Sequence, residues 1–131
     1  MREILFRGKT YEGEWVQGDL YHRNKEVLIN NFHEGFNLRV IPETVGQYTG
    51  LTDKNGTKVF EGDIIKVEYA GNNRGIEGTV AKVVFEKCKF ALVWGWHNEI
   101  VCLTDFCNVT FEVISNIHDN PELLESEVQG E

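Results

Sequence analysis

The amino-acid sequence predicts a mainly β protein with one short C-terminal helix, on three observations. Val, Ile, Thr, Phe, Tyr and Trp recur in short bursts between Gly and Asn, which is the composition of strands joined by tight turns. Apolar residues three and four apart, the mark of amphipathic helices, are scarce until the C-terminus. Asp53-Lys54-Asn55-Gly56 stands between apolar and β-branched flanks, and Asn-Gly is a strong hairpin signal because both residues tolerate positive φ.

Taken in order, Ile4 and Phe6 alternate with Glu3, Leu5 and Arg7 as a short first strand, closed by a Gly8-Lys9 turn. Tyr11 to Tyr21 reads as a strand pair with a bend, with Trp15, Val16, Leu20 and Tyr21 as core candidates and Gly13 and Gly18 as punctuation. A polar turn, His22 to Lys25, leads into a buried Val27-Leu28-Ile29 strand that Asn30-Asn31 breaks. Phe36, Leu38 and Val40 alternate with Asn37 and Arg39 up to Pro42, which has no N–H to give to a ladder.

The stretch from Gln47 to Val67 supplies a strand, a hairpin tip at Asn55-Gly56, a return strand and a flexible acidic corner at Glu61-Gly62-Asp63. The strand that follows places Ile65, Val67 and Tyr69 toward the core and Lys66 and Glu68 toward water. Gly71 to Gly75 tips a long hairpin with Thr79 to Phe85 as its return arm, and Glu86 to Lys89 turns the chain into Phe90 to Trp94. Apolar residues on both faces of these arms predict strands packed on two sides, as in a small closed barrel. Gly95 to Asn98 opens another turn, Ile100 to Leu103 returns, and Phe111, Val113 and Ile117 close the sheet. Asn120 before Pro121 is a helix start, with Leu123 and Leu124 docking and Ser126 to Glu131 frayed. The expected organisation is a single β domain over residues 1–124 and an acidic tail over 125–131, with no internal repeat.

Several of these segments carry a family resemblance. QYTGL at Gln47 to Leu51, DKNG at Asp53 to Gly56 and FEGDII at Phe60 to Ile65 resemble the hallmark block of the YopX family, small proteins of bacteriophages and prophages of Gram-positive bacteria. REILFRG at Arg2 to Gly8 and EVISNIHDNPELL at Glu112 to Leu124 are similar to that family's ends, whereas Ala70 to Val109 matches loosely. The resemblance implies a small SH3-like β-barrel with additional strands, a phage origin and no known activity, and it supplies no catalytic residues.

Composition narrows the function classes. The 131 residues include 13 Lys and Arg against 21 Asp and Glu, a net charge of −8. Asp119, Glu122, Glu125, Glu127 and Glu131 account for −5 of that with no Lys or Arg among them, which leaves about −3 for the body. Such totals point to no basic face for nonspecific phosphate binding, although an acidic chain can still carry a local basic patch. Cys88, Cys102 and Cys107 form no CxxC pair and the opening Met-Arg-Glu is no apolar leader, so a reducing bacterial cytoplasm is the expected location. Apolar runs fall far short of the roughly 20 residues that cross a bilayer.

Each candidate site has a plainer reading beside it. His97, Cys102 and Cys107 offer zinc ligands, but at five-residue intervals rather than in a tight knuckle, and Cys102 sits in an apolar run that suits an inert thiol. Glu61 and Asp63 lie two apart, which on a strand would set carboxylates about 7 Å apart. The glycine between them points instead to a turn. Asp53 and Asn55 resemble the start of a calcium loop whose Gly and terminal Glu are absent, so the turn accounts for them. Trp94 and Trp96, with Phe90, Lys87 and Lys89 nearby, form the one aromatic and basic cluster. These rings suit a core or an interface, and stacked bases are the alternative.

The expectation is therefore a non-enzymatic protein without cofactor or metal that binds another protein or copies of itself. Trp94, Trp96 and His97 are the expected interaction residues. A small-barrel nucleic-acid-binding protein is the runner-up.

Overall fold

Alternation along each strand decides which side chains are buried, and two separate apolar clusters result. The computed structural model describes residues 3–31, 36–69, 78–86, 89–94, 99–102 and 110–124. The strands are β1 (Phe6–Lys9), β2 (Trp15–Arg23), β3 (Glu26–Asn31), β4 (Phe36–Arg39), β5 (Gly46–Thr52), β6 (Lys58–Phe60), β7 (Asp63–Tyr69), β8 (Val80–Glu86), β9 (Lys89–Trp94), β10 (Glu99–Cys102) and β11 (Thr110–Asn116). A 3₁₀ turn spans Pro42–Thr44 and a single helical turn spans 122–124. The mainly β class is as expected, and the chain divides into two compact units, Met1–Gly50 and Leu51–Glu131.

In the first unit the antiparallel order is β4-β3-β2-β1-β5 around a core of Val16, Ile29 and Val40. Gly8 is not in a turn: it pairs with Val16 inside the β1–β2 ladder, and a Cβ there would lie 2.9 Å from the Cβ of Val40. Gly18 likewise belongs to a continuous nine-residue β2 rather than a bend, because a side chain at that position would meet the Asn30 carbonyl oxygen at 1.9 Å. The turn between β1 and β2 falls at 11–14, and Asn30 and Asn31 remain within β3. After β4, Val40 makes one bridge to Thr10 and the Ile41 N–H donates to the Lys9 carbonyl at 2.8 Å. Thr44 Oγ1 accepts from the Lys9 N–H at 2.9 Å and donates to the Ile41 carbonyl at 2.6 Å, which seats the 3₁₀ turn. One bridge is short of a ladder, so the described strands form open sheets rather than a closed barrel.

In the second unit the order is β10-β9-β8-β7-β11. Its core joins Val59, Ile65, Val67, Ala81, Val83, Leu92 and Phe111. Val67 is buried and Lys66 exposed, which is the predicted register of β7, while Ile64 is buried on the opposite face. The acidic corner differs from expectation. Asp63 is 1% exposed and its Oδ2 accepts the Phe60 N–H at 2.7 Å, so the corner is fastened rather than flexible. The hairpin tip is where the sequence placed it, but only Gly56 takes positive φ, at 82°. The Gly56 N–H donates to the Asp53 carbonyl at 3.0 Å, a turn closed by one left-handed glycine. Ile117 lies just past β11, with its N–H on the Gly62 carbonyl at 2.8 Å. Asn120 contributes its carbonyl to Leu123 N–H, while its side chain engages Ser115 and Glu122 instead of capping the helical turn.

Both units lay four consecutive strands side by side and return a fifth beside the first. The molecule thus repeats its topology where its sequence shows no repeat. β6 follows β5 in strand order. Among the described residues no helix is long and apolar enough to cross a membrane.

Candidate functional site

Trp94 ends β9, with its backbone opposite Glu99 of β10, and Trp96 and His97 lie outside the described residues. So do Lys87 and Cys107, while Cys102 ends β10 opposite Ala91. Phe90 meets Phe85 edge-on at 5.0 Å, with Phe85 half exposed at the end of its strand. No group of three or more His, Cys, Asp or Glu that could hold a metal occurs among the described residues.

Of the carboxylates singled out in the sequence, Asp53 and Asp63 accept backbone N–H groups. Asp53 is buried, and its Oδ1 accepts the N–H groups of Asn55 and Thr57, both at 2.9 Å. Its Oδ2 accepts the Val113 N–H at 2.9 Å, and the Lys54 N–H donates to the Phe111 carbonyl at 3.1 Å. Burial pushes the Asp53 pKa up, but the three backbone donors and the nearby Lys54 charge outweigh it and hold the group below the ordinary aspartate range. Lys54 in turn reaches Glu68 at 2.7 Å, and that hydrogen bond raises the lysine pKa. This arrangement is a fastening between the hairpin tip and β11, not a cation loop.

The open chemistry of the first unit lies elsewhere, in a shallow groove of about 60 Å³ lined by Tyr11, Lys25, Glu26, Val27, Arg39, Val40 and Pro42. Three connections supply it. Tyr11 comes from the β1–β2 turn, Lys25 and Glu26 from the β2–β3 turn, and Arg39 to Pro42 from the passage between β4 and the 3₁₀ turn. The β2–β3 turn is tight because Asn24 takes a left-handed conformation at φ 57°, which asparagine tolerates better than most residues. The Thr10 N–H to Glu14 carbonyl bond (2.8 Å) and the Gly13 N–H to Thr10 carbonyl bond (2.9 Å) hold the β1–β2 turn, leaving Tyr11 60% exposed.

Arg39 orders this groove. Its guanidinium stands 5.5 Å from the Tyr11 ring centroid and donates to Glu26 Oε2 at 2.8 Å, and that hydrogen bond raises the arginine pKa further. The result is an exposed tyrosine beside Val27 and Pro42, with the Arg39 guanidinium over its ring. Sequence reasoning assigned these residues only to turns and strands. The legible signal was Tyr11, a large aromatic set in an otherwise polar, glycine-bearing turn.

Comparison with known proteins follows from this geometry. The family model for YopX protein matches residues 5–125, most of the chain and both units. No curated protein matches the sequence. The crystal structure of protein EF1440 from Enterococcus faecalis is similar, with a TM-score of 0.56 and 24% identity over 95% of this chain and 99% of that one. At that identity the likeness speaks for the fold alone.

Proposed function

The chain belongs to the YopX protein family, and from that premise we propose that it is a non-catalytic accessory protein of phage or prophage origin that acts in the bacterial cytoplasm by binding another protein. Each unit is an SH3-like module in this reading. The support is the strand order, four antiparallel neighbours with a fifth returning beside the first, which is that of a small SH3-like barrel. The family match over residues 5–125 runs through both units, which supports reading them as parts of one YopX domain.

The observation that carries the binding role is the groove of the first unit, where three connections present an exposed aromatic ring with an ordered guanidinium beside it. Aromatic and arginine side chains are the ones enriched in protein interfaces. Asp53, with both oxygens on backbone N–H groups, and Asp63, with Oδ2 on the Phe60 N–H, support the same reading.

Affinity capture of the tagged protein from infected cells, with and without nuclease, tests the reading. A protein recovered in constant ratio that survives nuclease supports it. Recovery that disappears with nuclease favours the nucleic-acid alternative, and recovery of the chain alone as an oligomer replaces a foreign partner with self-assembly.

A further inference from the structure

We propose that Asn55 is a latent modification site: its side-chain amide is lost to the Gly56 nitrogen at a rate set by the Asp53 fastening, and the acidic products release the hairpin tip from β11. The inference is independent of the groove and of the binding role.

The chemistry needs only the chain and water. The Gly56 backbone nitrogen gives up its proton and bonds to Cγ of Asn55, the Cγ–Nδ2 bond breaks, and Nδ2 leaves with that proton as ammonia. Water then opens the five-membered imide at either carbonyl. Breaking the new bond at Cγ leaves aspartate, whereas breaking the original peptide bond leaves isoaspartate, with the backbone running through Cβ and Cγ. No oxidant or reductant takes part. Asn55-Gly56 is the one Asn-Gly pair in the sequence, and glycine, having no Cβ, obstructs the attack least. Both residues are exposed, and a Cβ built on Gly56 would meet nothing within 4 Å, so water reaches the pair.

The fold opposes this reaction at three points. The Gly56 N–H, the nucleophile, donates to the Asp53 carbonyl at 3.0 Å, so removing its proton also breaks a hydrogen bond. The Asn55 and Thr57 N–H groups both donate to Asp53 Oδ1 at 2.9 Å, which fixes the backbone on either side of the bonds that must rotate. The Asn55 Nδ2 approaches Glu112 Oε2 of β11 at 3.5 Å, and the carboxylates of Asp53 and Glu112 disfavour a negatively charged amide nitrogen beside them.

The products undo the same contacts. An acid at position 55 turns the amide's approach to Glu112 into a meeting of two carboxylates. An isoaspartate link also inserts a carbon between the Asn55 and Gly56 N–H groups, both of which Asp53 holds. Asp53 then cannot keep its tip donors and the Val113 N–H in the present geometry. The tip is therefore fastened by a turn that can come undone once and does not reset.

The full-length protein, held at neutral pH and constant temperature, is digested and mapped by mass spectrometry with a separation that resolves asparagine, aspartate and isoaspartate at position 55. Parent, parent in urea, Asp53→Ala and Asp53→Asn are compared. The folded parent is expected to lose the amide about tenfold or more slowly than the chain in urea, with Asp53→Ala close to the urea rate and Asp53→Asn between the two. In the modified fraction the Val113 amide is expected to exchange about tenfold faster with solvent while the Val67 amide is unchanged. Val67 protection also reports whether Asp53→Ala is folded; where it is not, the folded and urea rates of the parent and the Val113 exchange decide. Equal rates for the folded parent and the chain in urea overturn the proposal. So does a parental rate in Asp53→Ala, or parental protection of Val113 in the modified fraction.

Discussion

Asp53 shows how much one carboxylate can hold. Its two oxygens collect three backbone N–H groups, one of them, Val113, 60 residues further along the chain. Asp53→Ala leaves those donors without their acceptor and should cost about 2 to 4 kcal/mol in urea denaturation. The pH dependence has a definite sign. The folded pKa lies below the unfolded one, so the stabilisation is complete above the ordinary aspartate value near 3.9 and is lost as pH falls through the folded value. Denaturation midpoints of the parent should fall below about pH 4, with a weaker fall in Asp53→Asn; parallel curves for the two proteins would contradict the assignment. Gly56 is a contrasting case. A Cβ there would meet nothing within 4 Å, so its requirement is conformational: φ is 82°. Gly56→Val should cost about 1 to 2 kcal/mol through the left-handed backbone alone, and a variant that melts with the parent refutes that account.

Strands were legible in the sequence wherever alternation survived on one face. β7 is the clearest case, with Val67 fully buried and Lys66 exposed. Val67→Ala should therefore lose about 1 to 3 kcal/mol more than Lys66→Ala, and equal losses in urea melts would reject the register. What misled the reading of elements was glycine. Gly8 and Gly18 resemble turn punctuation, yet each is a strand residue kept small by a neighbour distant in sequence, Val40 in one case and Asn30 in the other. No local pattern distinguishes a glycine that bends the chain from one that admits another strand. The groove was hidden for the same reason, because Tyr11, Glu26 and Arg39 come together only through strand pairing. Asp53 was legible as a turn residue, while its bond to Val113 was not.

At the scale of the molecule, the charge is unevenly spread: residues from Asp119 onward carry −5 of the total −8. The remainder repels a second copy only weakly. We expect self-association with Trp96 as the anchor, measured by light scattering at micromolar concentration beside Trp96→Ala. A monomeric parent removes the association, and an unchanged oligomer in the variant removes the anchor. The repeated strand order escaped the sequence because topology is set by which strands pair, and unrelated apolar residues satisfy the same pairing.

The fastening of the hairpin tip onto β11 also governs how molecules meet one another. β11 is the last strand of its sheet, and the edge of such a strand is a template on which another chain can add and seed aggregates. Here the Phe111 carbonyl is taken by Lys54 and the Val113 N–H by Asp53, so a turn stands where a foreign strand would bind. Acid strong enough to protonate Asp53 takes the charge from the acceptor of the Val113 N–H and so weakens that guard as it lowers the stability of the fold. Aggregation at low pH is then expected to follow this turn, and substitutions in the tip are expected to change solubility through a strand they do not belong to.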